Sequence, residues 1–231
     1  MLNKLLKTSL ILFSVFLAGL PSICSALEIS PTSLTFNGSS QLQTIHLYNE
    51  SNKAVTFQAT AYLWSLDNNK KVLKSTEDLF PSPSIFTIPP QKSQDLRVGL
   101  FKKNQSNKVT TYRIKLEEIS SGKANSRNDT ISILYNITLP VFAKPIKPVK
   151  TSWSWKKVND GLVFTNTGGN VLSFSALSYS DSKGKKHSLT PIRYVLPGES
   201  NTFKISKGLH AVTISQTLSD FSSTKHSQVK L

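Results

Sequence analysis

Apolar residues recur at every second position across residues 130–142, TISILYNITLPVF. Ile131, Ile133, Tyr135, Ile137, Leu139 and Val141 fall on one side of an extended strand. Ser132, Asn136, Thr138 and Pro140 fall on the other, joined by Leu134 and Phe142. Side chains alternate along a strand, so the pattern predicts a strand with a nearly unbroken apolar ridge on one face. Most strands run only about 5–6 residues. A longer ridge can do more than close its own sheet, and part of this one is expected to be offered to another protein.

The same period of two recurs through the chain, interrupted by turn residues roughly every ten positions, and no helical period appears. Leu27, Ile29, Leu34 and Phe36 flank Pro31, which suits an edge strand that changes sheets. Residues 41–49, 55–64, 84–91, 94–100 and 110–119 read as strands. Residues 37–40, 49–53 and 67–70 read as turns, 79–83 as an irregular corner, and 102–108 and 120–129 as polar loops. This spacing indicates a β-sandwich. The segment Lys144-Pro145-Ile146-Lys147-Pro148 has the stiffness and polarity of a domain linker. Beyond it a second set of strands covers residues 153–157, 161–166, 171–179, 192–196, 201–205 and 210–216, with turns at 181–186 and at Pro197-Gly198. Residues 219–231 read as a polar tail. The expectation is an all-β chain with one domain over 27–144 and a smaller or incomplete sandwich over 145–231.

Residues 1–26 carry a targeting pattern. Lys4 and Lys7 precede an apolar run, residues 10–20, that is too short to span a bilayer. Ser22-Ile23-Cys24-Ser25-Ala26 ends in small residues and predicts cleavage after Ala26, giving an exported chain with no integral membrane association. The one cysteine, Cys24, leaves with that segment. The mature chain therefore has no disulfide, thiol nucleophile or thiolate metal site.

Net charge is +15, from 28 Lys+Arg against 13 Asp+Glu. The basic residues are scattered, and the clusters at 70–71, 102–103, 156–157 and 183–186 read as solvated turns, so no nucleic-acid partner is expected. Catalysis finds little support. His46, His187, His210 and His226 have no partners at metal or triad spacing. Glu117 and Glu118 point to opposite faces of a strand. Gly168-Gly169 lacks the lysine and helix of a phosphate loop. No enzyme activity, cofactor or metal is expected. Trp153 and Trp155 read as one strand seen from both sides rather than as a stacking platform. Asn49-Glu50-Ser51, Asn128-Asp129-Thr130 and Asn136-Ile137-Thr138 match a glycan acceptor pattern, which means little in a bacterial host.

Several segments together resemble the periplasmic pilus chaperones of the chaperone–usher pathway. In the first half these are Ser84-Ile-Phe-Thr-Ile-Pro-Pro-Gln91, Gln94-Asp-Leu-Arg-Val98, Tyr112-Arg-Ile-Lys-Leu-Glu-Glu-Ile119, Leu139-Pro-Val-Phe142 and Lys144-Pro145. In the second half they are Leu162-Val-Phe-Thr-Asn166, Gly168-Gly-Asn170 and Tyr194-Val-Leu-Pro-Gly198. The ordered set covers essentially the whole mature chain, and it is most similar to the archaic branch of the family.

The resemblance implies two immunoglobulin-like β-sandwich domains in an L or boomerang arrangement. It also implies a periplasmic chaperone that stabilises pilus or fimbrial subunits and delivers them to an outer-membrane usher. Such a subunit lacks its last strand, and the chaperone lends one by strand addition. Among the donor-strand residues, Ile131, Ile133 and Tyr135 would be the best donors, with Ile137 and Leu139 continuing the ridge into the chaperone's own core. A basic group in the cleft between the domains would bind the subunit's C-terminal carboxylate. The match is incomplete there. Ser33 stands where many relatives carry an arginine, and Asn136, Thr138 and Pro140 stand where a lysine is usual. Arg97 is then the first candidate, followed by Arg113 and Lys144. The alternative is a secreted two-domain sandwich acting as an adhesin or structural surface protein; an exported hydrolase is disfavoured by the lack of paired catalytic groups.

Overall fold

A computed structural model of the chain describes residues 27–38, 40–119, 134–159, 161–205, 212–220 and 223–231. The predicted export signal and the donor candidates Ile131 and Ile133 lie outside these residues. Every regular element described is a strand. In the first half these are β1 (Leu27–Ser30), β2 (Leu34–Phe36), β3 (Leu42–Asn49), β4 (Val55–Asp67), β5 (Lys70–Ser75), β6 (Leu79–Ser82), β7 (Ile85–Ile88), β8 (Ser93–Leu100), β9 (Thr110–Glu118) and β10 (Asn136–Ala143). In the second half they are β11 (Trp153–Val158), β12 (Gly161–Asn166), β13 (Ser173–Ser180), β14 (Lys186–Ser188), β15 (Ser200–Lys204), β16 (Thr213–Ser219) and β17 (Thr224–Lys230).

The first ten strands make two sheets, in the orders β1-β3-β8-β6 and β2-β10-β9-β4-β5, with β7 also on β4. Alternation decides what lies between them. Ile45 and Leu47 of β3, Leu96 and Val98 of β8, Phe57 of β4, and Ile114 and Leu116 of β9 are fully buried in one core. As Pro31 suggests, the first strand splits: β1 joins one sheet and β2 the other, which ties the sheets together at their edges. The chain reverses from β4 to β5 through Asn68 and Asn69, at φ 48° and 62°, the left-handed pair of a tight hairpin turn.

The second half has its own core, built on Leu162, Phe164, Leu172, Val195 and Ile214, between sheets β11-β12-β15 and β14-β13-β16-β17. Trp153 and Trp155 both pack against it. Residues two apart in a strand share a face, so these two cannot flank the strand from opposite sides. The Trp155 ring lies 5.0 Å from Phe164, and its indole N–H donates to Gln216 Oε1 at 2.9 Å.

Four expectations need correction. Residues 224–230 are a full edge strand, β17, paired with β16 over its whole length, so this sandwich is not incomplete. Its sequence, TKHSQVK, hid it, because an edge strand facing water needs few apolar residues. Residues 192–196 form no strand: they make the bridge Leu172–Val195 and accept the Phe174 N–H at Ile192 O at 3.0 Å, while the Glu199 carboxylate accepts the Leu196 N–H at 2.7 Å. Residues 70–75 and 186–188 are strands carried by hairpins rather than by apolar pattern. Finally, Asn49 is 1% exposed, and its amide is engaged with Lys53 O, Ile88 O and Ser51, so it is a structural turn residue rather than an accessible acceptor.

The two halves are joined by more than the linker. Trp64, Val109 and Phe142 of the first pack with Val171 and Leu196 of the second. Val109 N–H donates to Gly169 O at 2.8 Å. A Cβ on Gly169 would lie 2.5 Å from the Asn107 carbonyl oxygen, so this glycine marks a crossing of backbones. The β4–β5 turn docks as well: Asn69 Nδ2 donates to Ser200 O at 2.7 Å and Ser200 N–H to Asn69 Oδ1 at 2.8 Å. Beside it, Lys71 Nζ lies 3.0 Å from Glu199 Oε1.

Candidate functional site

The site is built on β10. Its inward residues Leu139 and Val141 are buried in the first core, while Tyr135 and Ile137 are partly buried against it. Leu139, at 5% exposure, lies in the domain's own core, where the ridge continues inward from Ile137. Tyr135 and Ile137 stand at the rim, with the Tyr135 ring 6.2 Å from Phe57. On the opposite face, Phe142 joins the apolar contact with the second half.

The two flanks of β10 differ. One is fully paired with β9, from Asn136–Glu117 to Ala143–Thr110. The other meets β2 only at Val141, Phe142 and Ala143, in parallel. No strand among the described residues pairs with residues 136–140 on that side. Backbone polarity follows from two hydrogen bonds. Glu118 N–H donates to Tyr135 O at 2.9 Å, so odd-numbered residues aim their polar groups at β9. Lys144 N–H donates to Phe36 O at 2.9 Å, so even-numbered residues aim theirs the other way. Asn136 and Thr138 thus present both N–H and C=O along the open border. A border of this kind is a template for another strand. Two other edges are blunted by charge: β5 carries Lys70, Lys71 and Lys74, and β17 carries Lys225 and Lys230. The open stretch of β10 carries none.

The three candidate anchors separate clearly. Arg97 is exposed on β8, between Thr44 and Ser82, on the outer face of the other sheet. Its neighbours Leu96 and Val98 fill the core, and alternation turns Arg97 outward, so it is corrected from first candidate to surface residue. Lys144 follows β10 and is partly buried. Arg113 lies on β9 directly opposite Pro140, at the end of the open border. Its guanidinium carbon sits 3.8 Å from the centre of the Trp64 ring and 5.4 Å from that of Tyr194, stacked at the junction of the two halves. Burial pulls its pKa below the usual arginine value, Tyr194 pulls it up and the nearby Arg193 lowers it further. No carboxylate among the described residues pairs with Arg113, whereas Lys115 two residues on is paired with Glu117 at 2.7 Å. The junction can therefore take an added anion.

Trp64, Tyr194 and Arg193 were missed in the sequence because they come from distant segments, and no spacing links them. Among the described residues no three His, Cys, Asp or Glu side chains converge to hold a metal, and no helix is long and apolar enough to cross a membrane. Folding does bring His46 within 2.6 Å of Asp95 and His187 within 3.3 Å of Asp181.

The pili and flagellar-assembly chaperone family, in its PapD N-terminal domain, matches residues 26–148. No curated protein matches the chain. Among solved structures it is similar to one from the CsuC–CsuE chaperone–tip adhesion subunit pre-assembly complex of archaic chaperone-usher Csu pili from Acinetobacter baumannii. That match has 18% identity over 89% of this chain and 98% of that one, with a TM-score of 0.64. The CupB2 chaperone of Pseudomonas aeruginosa matches at 15% identity, 88% and 100% coverage and a TM-score of 0.63. A structure of Salmonella enterica SafA pilin with the SafB chaperone matches at 14% identity, 91% and 97% coverage and a TM-score of 0.66. At these identities the shared property is the fold, two immunoglobulin-like sandwiches.

Proposed function

The chain belongs to the pili and flagellar-assembly chaperone family, and on that premise we propose that it stabilises a pilus subunit by lending it the border of β10. The observation that carries this reading is the uncharged border of β10 before β2 begins, with which no strand among the described residues pairs. A guest strand running the same way as β2 bonds to Asn136 and Thr138. Tyr135 and Ile137, with Ile131 and Ile133 upstream, fill the place of the subunit's missing strand. Each large apolar group buried this way contributes about 1.5–3 kcal/mol before ordering costs. The guest's terminal carboxylate then meets Arg113, whose rung coincides with the end of the border. The partners are a pilus or fimbrial subunit and an outer-membrane usher. The chain works in the periplasm after removal of residues 1–26, with domains over 27–144 and 145–231. The similarity to an archaic-system structure supports a place in that branch.

Co-expression with the products of neighbouring genes tests the reading. The expected result is a one-to-one periplasmic complex with a subunit that is insoluble alone. Recovery of the chain on the cell surface without such a subunit overturns it. Within the complex, Arg113→Ala is expected to weaken subunit binding about fivefold to tenfold, since a partly buried charge-assisted pair contributes less than a fully buried one. Arg97→Ala is expected to leave binding within about twofold. Both are read by titration calorimetry.

A further inference from the structure

The open border begins at an unusual rung. β9 ends at Glu118, opposite Tyr135, and the pair is joined by two bonds of different kinds. Glu118 N–H donates to the Tyr135 carbonyl at 2.9 Å, an ordinary ladder bond. Tyr135 N–H donates to Glu118 Oε2, also at 2.9 Å. In a regular antiparallel pair that second bond ends on a main-chain carbonyl. Here a side-chain oxygen takes it instead. The next residue, Ile119, turns its N–H to Thr56 O at 2.8 Å. Glu117 faces the other way and pairs with Lys115. The two adjacent glutamates therefore have separate tasks.

From this geometry we infer that Glu118 is a positioning residue for strand lending: its carboxylate holds the entry end of β10 in register before a guest arrives. The inference rests on the strand-lending reading above. A slip of one residue would turn the polar groups of Asn136 and Thr138 toward β9, and would carry Tyr135 and Ile137 to the wrong face. At its far end β10 is held by β9 and β2 together. At the entry end the strand that pairs with it among the described residues is β9, and the Glu118 carboxylate accepts the Tyr135 N–H there. A border held in its bound form spares the guest the cost of ordering it.

The test compares Glu118→Ala with Glu118→Gln, whose amide oxygen still accepts from Tyr135 N–H. Amide hydrogen exchange is read on the free chain and subunit affinity on the complex. Glu118→Ala is expected to speed exchange at Tyr135 and to weaken subunit binding about fivefold, while Glu118→Gln keeps both within about twofold of the parent. Unchanged Tyr135 exchange in Glu118→Ala overturns the inference. So does faster exchange with unchanged affinity, or equal loss in both variants, which would make the charge itself responsible. A parent chain that captures no subunit overturns the strand-lending reading and this inference with it. Capture by the parent with no effect of Glu118→Ala overturns the inference alone.

Discussion

Thr138→Pro is expected to lower subunit affinity by about tenfold or more while the free chain melts within a few degrees of the parent. The Thr138 N–H points to the open border and not to β9, so no ladder bond among the described residues is lost in the free protein. Proline is tolerated on such an edge, and Pro140 already stands there. A guest strand, in contrast, loses a donor and meets the pyrrolidine ring. Ile131→Asn with Ile133→Asn is expected to abolish capture from the side-chain half of the same contact. Equilibrium titration of a purified subunit, paired with thermal unfolding of the free variants, checks both. Parent-like affinity in Thr138→Pro would move the docking edge away from β10.

A second large effect is expected at the junction of the halves. Lys71→Met should destabilise the chain by about 2–3 kcal/mol. The Glu199 side chain is 4% exposed and accepts from Leu196 N–H, Asn201 Nδ2 and Lys71 Nζ. Removing the cation leaves a buried carboxylate short of its counter-charge. The side chain of Lys71 is itself 30% exposed, so solvent screens part of the pair and the loss falls at the lower end of the usual range. Thermal unfolding should show a drop of about 4–10 °C. Adding Glu199→Gln should restore much of it, since the amide keeps an acceptor for Leu196 N–H. A double variant no better than Lys71→Met alone would show that the lysine acts through packing on Trp64, whose ring centre lies 5.6 Å from its Nζ.

Period-two patterning made most of the first sandwich legible. β3, β4, β8 and β9 each bury one face, and a half-buried strand writes that fact into its residues. The split of the first strand at Pro31 was readable for the same reason. β5, β14 and β17 were not, because an edge strand turned to water carries lysine and serine whether or not it pairs. The apolar ridge was readable down to Tyr135 and Ile137, but its open flank was not. How much of a strand is left unpaired depends on where β2 starts, and β2 lies about a hundred residues away in sequence. The anchor failed for a related reason. Arg97 and Arg113 sit in similar alternating strands, and only the packing of Trp64 against Tyr194 sets one at the junction and the other on open surface.

The abrupt start of β2 at Leu34, opposite Val141, turns the lending edge into a gauge of length. A guest sliding along β10 runs into a resident strand at a fixed depth, and Pro140 offers no donor with which to pass it. What such a stop measures is where a polypeptide ends rather than what it spells. Clients with unrelated sequences but equal reach would seat alike, and a client bearing even a short tag beyond its last residue would have no room to lie down.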